Sequence, residues 1–228
     1  MKQVRILICL FTVVVFTGFV FAGTAGDEAL QKLMDGNKRF VSSKLMKKDL
    51  GDTKRKELLK GQKPFATIIT CSDSRVPPEL IFDQGLGDIF IIRVAGNVVD
   101  PIELGSIEYG VEHLHTPLLF ILGHEKCGAV TATVEAEGAP EGNIGAIVKK
   151  IKPAADTAKK KGGTKEKIVE TAIEENVKNV YKDTMKSSIV SHLVQEGKLK
   201  IVGGIYMLST GKVEMIELPK VAPSKKAH

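Results

Sequence analysis

Cys71, His124 and Cys127 are the residues of this chain best suited to chemistry. Cys71 opens Cys71-Ser72-Asp73-Ser74-Arg75, while the other two stand in Gly123-His124-Glu125-Lys126-Cys127-Gly128. Two thiolates and one imidazole form a zinc-type donor set. Three protein ligands leave a fourth position free, as catalytic rather than structural sites do. The two sulfur charges would also neutralise Zn2+. Neither segment is decisive alone, because a cysteine at a strand end is often only small core filling. A disulfide between Cys71 and Cys127 is the competing reading, the ordinary one for two cysteines in an oxidising compartment. The charged residues beside the candidates, Asp73 and Arg75, favour the metal. His113 and His115 lack such a constellation and read as helix-end and packing residues. His192, in a helical run, and His228, on the tail, receive no role.

For these ligands to meet, the preceding segments must deliver them to one edge. Phe65 to Thr70, Ile89 to Val94 and Leu118 to Gly123 are short apolar runs of the kind that become buried strands. Cys71 directly follows the first run and His124 the third. Helical stretches at Ile102 to Leu114 and Ala129 to Glu137 separate or follow the strands, which indicates a parallel sheet with crossover helices. Functional groups in such sheets gather at the carboxyl ends of the strands, so the set closes if the first and third strands are neighbours. Cys127 would then open a helix, whose N-terminal dipole lowers a thiol pKa. Gly26 to about Leu59 has helical periodicity, and 138–163, rich in Gly, Pro and Lys, reads as a looser stretch. Thr164 to Glu196 is helical again, and Ile201 to Leu208 with Val213 to Leu218 form a closing hairpin. The expected fold class is α/β: a central, mostly parallel sheet flanked by helices, with an N-terminal helical arm and a C-terminal β-hairpin. One domain spans 23–219, with a disordered tail at 220–228.

Cys-x-Asp-x-Arg, followed about fifty residues later by His-x-x-Cys, resembles the signature of β-carbonic anhydrases. The likeness extends to Gly36-Asn37-Lys38-Arg39-Phe40, to Arg93-Val94-Ala95-Gly96-Asn97 and to the hairpin over Gly203 to Lys212. The resemblance implies one Zn2+ per chain on Cys71, His124 and Cys127, and reversible hydration of CO2 to bicarbonate and a proton by zinc-bound hydroxide. It implies an Asp73–Arg75 dyad, with Asp73 reaching the metal only in a closed, inactive state. It places Gln62, Phe90 and Tyr109 around the CO2 pocket, and implies a homodimer or larger homo-oligomer with the pocket near the interface. Some members carry a regulatory bicarbonate pocket of Trp, Arg and Tyr. The last two fall on Arg93 and Tyr206, but the Trp position is Ile68, which favours a constitutively open site. The same motifs would serve a COS or CS2 hydrolase, and a non-catalytic zinc protein would need neither Gln62 nor the dyad.

The bulk composition suits one enzyme domain: 228 residues, 43% hydrophobic and 26% charged. The formal charge of +6 is spread over scattered lysines and short runs such as Lys159 to Lys161. No aromatic residues interleave with them, so no nucleic-acid partner is expected. Lys2 and Arg5, the apolar run Ile6 to Phe21 and the small residues Ala22 to Ala25 have the layout of a secretory signal peptide, cut after Ala22 or Ala25. An uncleaved anchor is the other reading of that run. Cleavage would remove Cys9 and two positive charges, leaving Cys71 and Cys127 and a net charge of +4. Export to the periplasm, or beyond the cell, is the expected destination.

Overall fold

The computed structural model describes residues 23–220 apart from 137, 139 and 141. The expected signal segment over 1–22 and the tail from 221 lie outside the described residues. Five strands form one sheet: β1 (Ala66–Thr70), β2 (Ile89–Arg93), β3 (Leu118–His124), β4 (Lys200–Tyr206) and β5 (Val213–Ile216), in the order β2-β1-β3-β4-β5. The first four are parallel, and β5 runs antiparallel to β4 as the expected hairpin. β1 and β3 are neighbours, with Thr70 opposite Leu122, so Cys71 and His124 leave the sheet side by side.

The central strands are apolar on both faces because both faces are covered. Leu118, Phe120 and Leu122 of β3 point to one layer, with Leu33 of α1 (Ala25–Val41) and Ile81 of α3 (Pro78–Ile81). Leu119 and Ile121 point to the other, with Ile107 of α4 (Pro101–Glu108), Val177 of α7 (Lys165–Thr184) and Val190 of α8 (Ser188–Gln195). α1 begins on a capping box: Thr24 accepts from the Asp27 N–H, and Asp27 accepts from the Thr24 N–H at 2.9 Å. Asp27 also pairs with Lys200 at the start of β4, tying the helix to the sheet. α1 lies close enough to α3 that a Cβ on Gly36 would stand 1.8 Å from the Phe82 carbonyl oxygen.

Three expectations change. The stretch Thr164 to Glu196 is two helices, α7 and α8, parted by a turn at Met185 and Lys186. The helical stretch from Gly26 to Leu59 is two helices, α1 and α2 (Asp52–Leu58), joined by an extended segment that displays Leu45, Met46 and Leu50 to solvent. The stretch 138–163 is not loose: Ile144–Lys161 is an 18-residue helix, α6. Ile151, Ala154, Ala155 and Ala158 recur on its buried side at helical spacing, and this burial outweighs the cost of Pro153 inside the helix. Among the described residues, no helix is long and apolar enough to cross a membrane.

Candidate metal centre

β1 and β3 end at the same edge, and the turn after β3 leads into α5 (Gly128–Glu135), whose N-cap is Cys127. Lys126 takes a positive φ of 53°, which reverses the chain and brings Cys127 back toward His124. The ligand atoms of Cys71, His124 and Cys127 all lie within 4.8 Å of one another, and all three residues are buried. The imidazole is oriented by its Nδ1, 2.9 Å from the Glu125 carbonyl oxygen. That contact sets Nδ1 as the N–H donor and leaves Nε2 with its lone pair. Nε2 is buried and has no hydrogen-bond partner. A buried acceptor facing two sulfurs is costly unless an electrophile fills the space between them, and a divalent metal fits that description.

The two sulfurs compete for one proton. Cys71 is drawn down to about 4, chiefly by hydrogen bonding from Cys127 and also by the Gly96 N–H, against the opposing effect of burial. Cys127 moves the other way, pushed far up by Cys71 and by burial. The expected lowering at Cys127 is therefore reversed. The backbone N–H groups of Val130 and Ala129 do act on it as a helix start should, but the neighbouring thiolate outweighs them.

Asp73 sits beside this set, its Oδ2 3.9 Å from His124 Nε2. Arg75 grips it with two parallel bonds, Nε to Oδ1 at 2.9 Å and Nη2 to Oδ2 at 2.7 Å, and adds its backbone N–H to Oδ1. This paired contact holds the carboxyl well below the usual carboxylate range. Arg93 takes a part that sequence reasoning missed. Its Nε donates to the Cys71 carbonyl at 3.1 Å and its Nη2 to the Asp73 carbonyl at 2.6 Å, fixing the turn that carries both residues. Ile68 is fully buried in the core under β1, and Tyr206 packs beside Phe40, with ring centroids 6.4 Å apart.

The three expected pocket residues do not join this cluster within one chain. Gln62 is exposed and precedes β1, so the whole strand separates it from Cys71. Phe90 and Tyr109 do meet, with ring centroids 5.9 Å apart. Tyr109 begins a π-helical turn (Tyr109–His113) packed on Thr67, where a Cβ on Gly110 would lie 2.4 Å from the Thr67 hydroxyl oxygen. Thr67 is four residues before Cys71, about 13 Å along the strand. His113 stacks near Tyr109 at 5.4 Å, His192 pairs with Glu196 at 3.3 Å, and His115 is exposed.

Residues 66–213 match the family model described as carbonic anhydrase. A carbonic anhydrase of Mycolicibacterium smegmatis is 40% identical over 190 residues, covering 82% of this chain and 91% of that protein. Carbonic anhydrase 2 of Mycobacterium tuberculosis is 39% identical over 188 residues, covering 81% and 89%. Among solved structures, the Coccomyxa β-carbonic anhydrase in complex with acetazolamide superposes with a TM-score of 0.68 at 26% identity, covering 82% of this chain and 86% of that one. The family model covers β1 to the first residue of β5, and so includes both strands that lead to the candidate ligands and the helix that Cys127 caps: the chain belongs to the β-carbonic anhydrase family.

Proposed function

We propose that this protein is a zinc enzyme that hydrates CO2 reversibly to bicarbonate and a proton. One observation carries this reading: an unpartnered, buried His124 Nε2 faces two sulfurs, beside a carboxylate locked by arginine. When bound by Cys71, His124 and Cys127, zinc supplies the Lewis acidity that lets water ionise near neutrality. Asp73, kept ionised by Arg75, accepts a hydrogen bond from the attacking oxygen and so turns its lone pair toward the carbon of CO2. Arg75 holds both Asp73 oxygens, which keeps that carboxylate from taking the open ligand position. Arg93 fixes the turn so that sulfur and carboxylate keep their spacing. Arg93 turns two of its donors to backbone carbonyls and Ile68 stands buried where the pocket's Trp would be, which supports a site that stays open without a regulatory bicarbonate pocket. Metal analysis with stopped-flow CO2 hydration tests the assignment. Wild type should carry one zinc per chain, and Cys127→Ala should lose both metal and activity. Normal hydration by a metal-free Cys127→Ala protein would overturn it.

We further infer a homodimer as the smallest working unit. Gln62, Phe90 and Tyr109 lie a strand's length from their own Cys71, so the pocket that they would line belongs to a partner's metal. The extended segment with Leu45, Met46 and Leu50, each more than half exposed, offers the apolar surface such a partner would cover. Gln62 would then donate its amide N–H to the CO2 oxygen that gains negative charge. Export remains part of the proposal, resting on Lys2, Arg5 and the apolar run after them. N-terminal sequencing of the protein recovered outside the cytoplasm should begin at Gly23 or Gly26, and an intact Met1 there would contradict it.

A further inference from the structure

We propose that Asn176, on α7, is a positioning residue of the metal centre, acting on Cys71 through the backbone of Gly96. The idea rests on the reading of Cys71 as a zinc ligand. Asn176 is 2% exposed, on a buried helix face with Ala172, Ile173, Val177 and Val180 around it and Thr184 at its end. An amide in that stripe is costly unless it is hydrogen-bonded. Its Nδ2 donates to the Gly96 carbonyl at 2.8 Å, a buried contact spanning 80 positions of sequence. Gly96 in turn donates its N–H to Cys71 Sγ at 3.3 Å. Two hydrogen bonds therefore run from α7 to a ligand sulfur.

The middle member of that chain has no freedom to be replaced. Gly96 adopts φ 69° and ψ 17°, the left-handed region that favours glycine. A Cβ there would lie 2.6 Å from Ile151 Cδ1 and 3.2 Å from the Ala129 side chain. The left-handed turn aims the N–H at sulfur, and Asn176 holds the following peptide so that the turn persists. An N–H donor on a thiolate lowers the energy of its lone pairs. It also fixes the direction of the sulfur before metal arrives. Partners of this kind, one step beyond the ligands, typically alter metal affinity or activity about 10- to 100-fold.

The test compares wild type with Asn176→Leu, which keeps the branched skeleton and removes the donor, and with Asn176→Ala, which removes the donor by truncation. Each protein is measured with zinc, by competition against a chromophoric chelator, and after cobalt substitution, by absorption. Loss of the N–H···S bond should move the thiolate-to-cobalt charge-transfer band to longer wavelength and weaken zinc binding about tenfold. A purely structural role would lower the melting temperature of metal-free and metal-loaded protein alike, with band and affinity unchanged, and that result would overturn the proposal. Should Asn176→Leu fail to fold, Asn176→Ala reads the same band. Wild-type protein without any thiolate-to-cobalt band would remove the metal reading itself, and the proposal with it.

Discussion

Cys71 and Cys127 occupy a space in which two thiolates cannot coexist without a cation. Zinc supplies one; in its absence the pair holds a proton, with the negative charge on Cys71. The thiolate of that pair is the sulfur that attacks when the site is stripped. Chelation in air should therefore end in a Cys71–Cys127 disulfide, two electrons and the pair's one proton passing to dioxygen, which takes a second proton from water to leave as hydrogen peroxide. Thiol counting should fall to zero for these residues, and activity should return with zinc plus reductant but not with zinc alone. Two free thiols after prolonged aerobic chelation would show that the empty site keeps its sulfurs apart. Asp73 gives a cleaner test of chemistry, since it is not in the ligand set. Asp73→Asn should keep zinc and lose about a hundredfold in hydration rate, the scale of a misoriented hydrogen-bond partner. The candidate ligands and the dyad were legible because Cys-x-Asp-x-Arg and His-x-x-Cys each stand at the end of an apolar run. Asn176 was not, because a polar residue in a helical repeat looks solvated until its partner on another element is known.

At the scale of elements, β1 and β3 were legible because strands buried on both faces are continuous apolar runs, and β2, at the sheet edge and only partly buried, because its residues are apolar as well. Their last residues marked the sheet edge, and with it the site. α6 was missed because Pro153 and the glycines before it look like breakers, while the alanines that make its buried face are weakly hydrophobic. The division of the first helical stretch at 42–51 was missed for the opposite reason, since exposed Leu45, Met46 and Leu50 mimic a core pattern. The start of α1 carries its own prediction. Asp27 is held at about 2, first by Lys200 and then by the Thr24 cap, against an ordinary value of 3.8. A carboxyl depressed on folding contributes stability that is present above pH 3.8 and lost as pH falls through about 2. Asp27→Asn should therefore lower the melting temperature at pH 7, and the gap from wild type should close between pH 4 and pH 2. A gap independent of pH would mean that the side chain acts through packing alone.

For the whole molecule, the separation of Gln62, Phe90 and Tyr109 from Cys71 is the ground for proposing a pair of chains as the active unit. A Cys127→Ala chain and a Gln62→Ala chain should each be impaired alone. Mixed and allowed to exchange, they should regain about a quarter of wild-type activity, since half the dimers are mixed and each mixed dimer has one complete site. No gain on mixing, with exchange verified by labelled subunits, would place the pocket within one chain. This arrangement could not be read from the sequence as spacing, because Gln62 and Cys71 are near in sequence and only the direction of β1 separates them.

The pairing of β1 with β3 also has a kinetic consequence. Thr67 finds Leu119 only by closing a loop of about fifty residues, and β3 must then meet β4 across a longer one. Non-local parallel pairing makes for slow folding, because loop entropy is lost before the contacts that repay it form. The three ligands converge only after that step, so the metal can act on the finished sheet but not on its assembly. Zinc should leave the refolding rate unchanged and slow unfolding, which stopped-flow chevrons with and without metal would show as movement of the unfolding arm alone. Faster refolding with zinc would mean that Cys71 and His124 meet before the strands behind them.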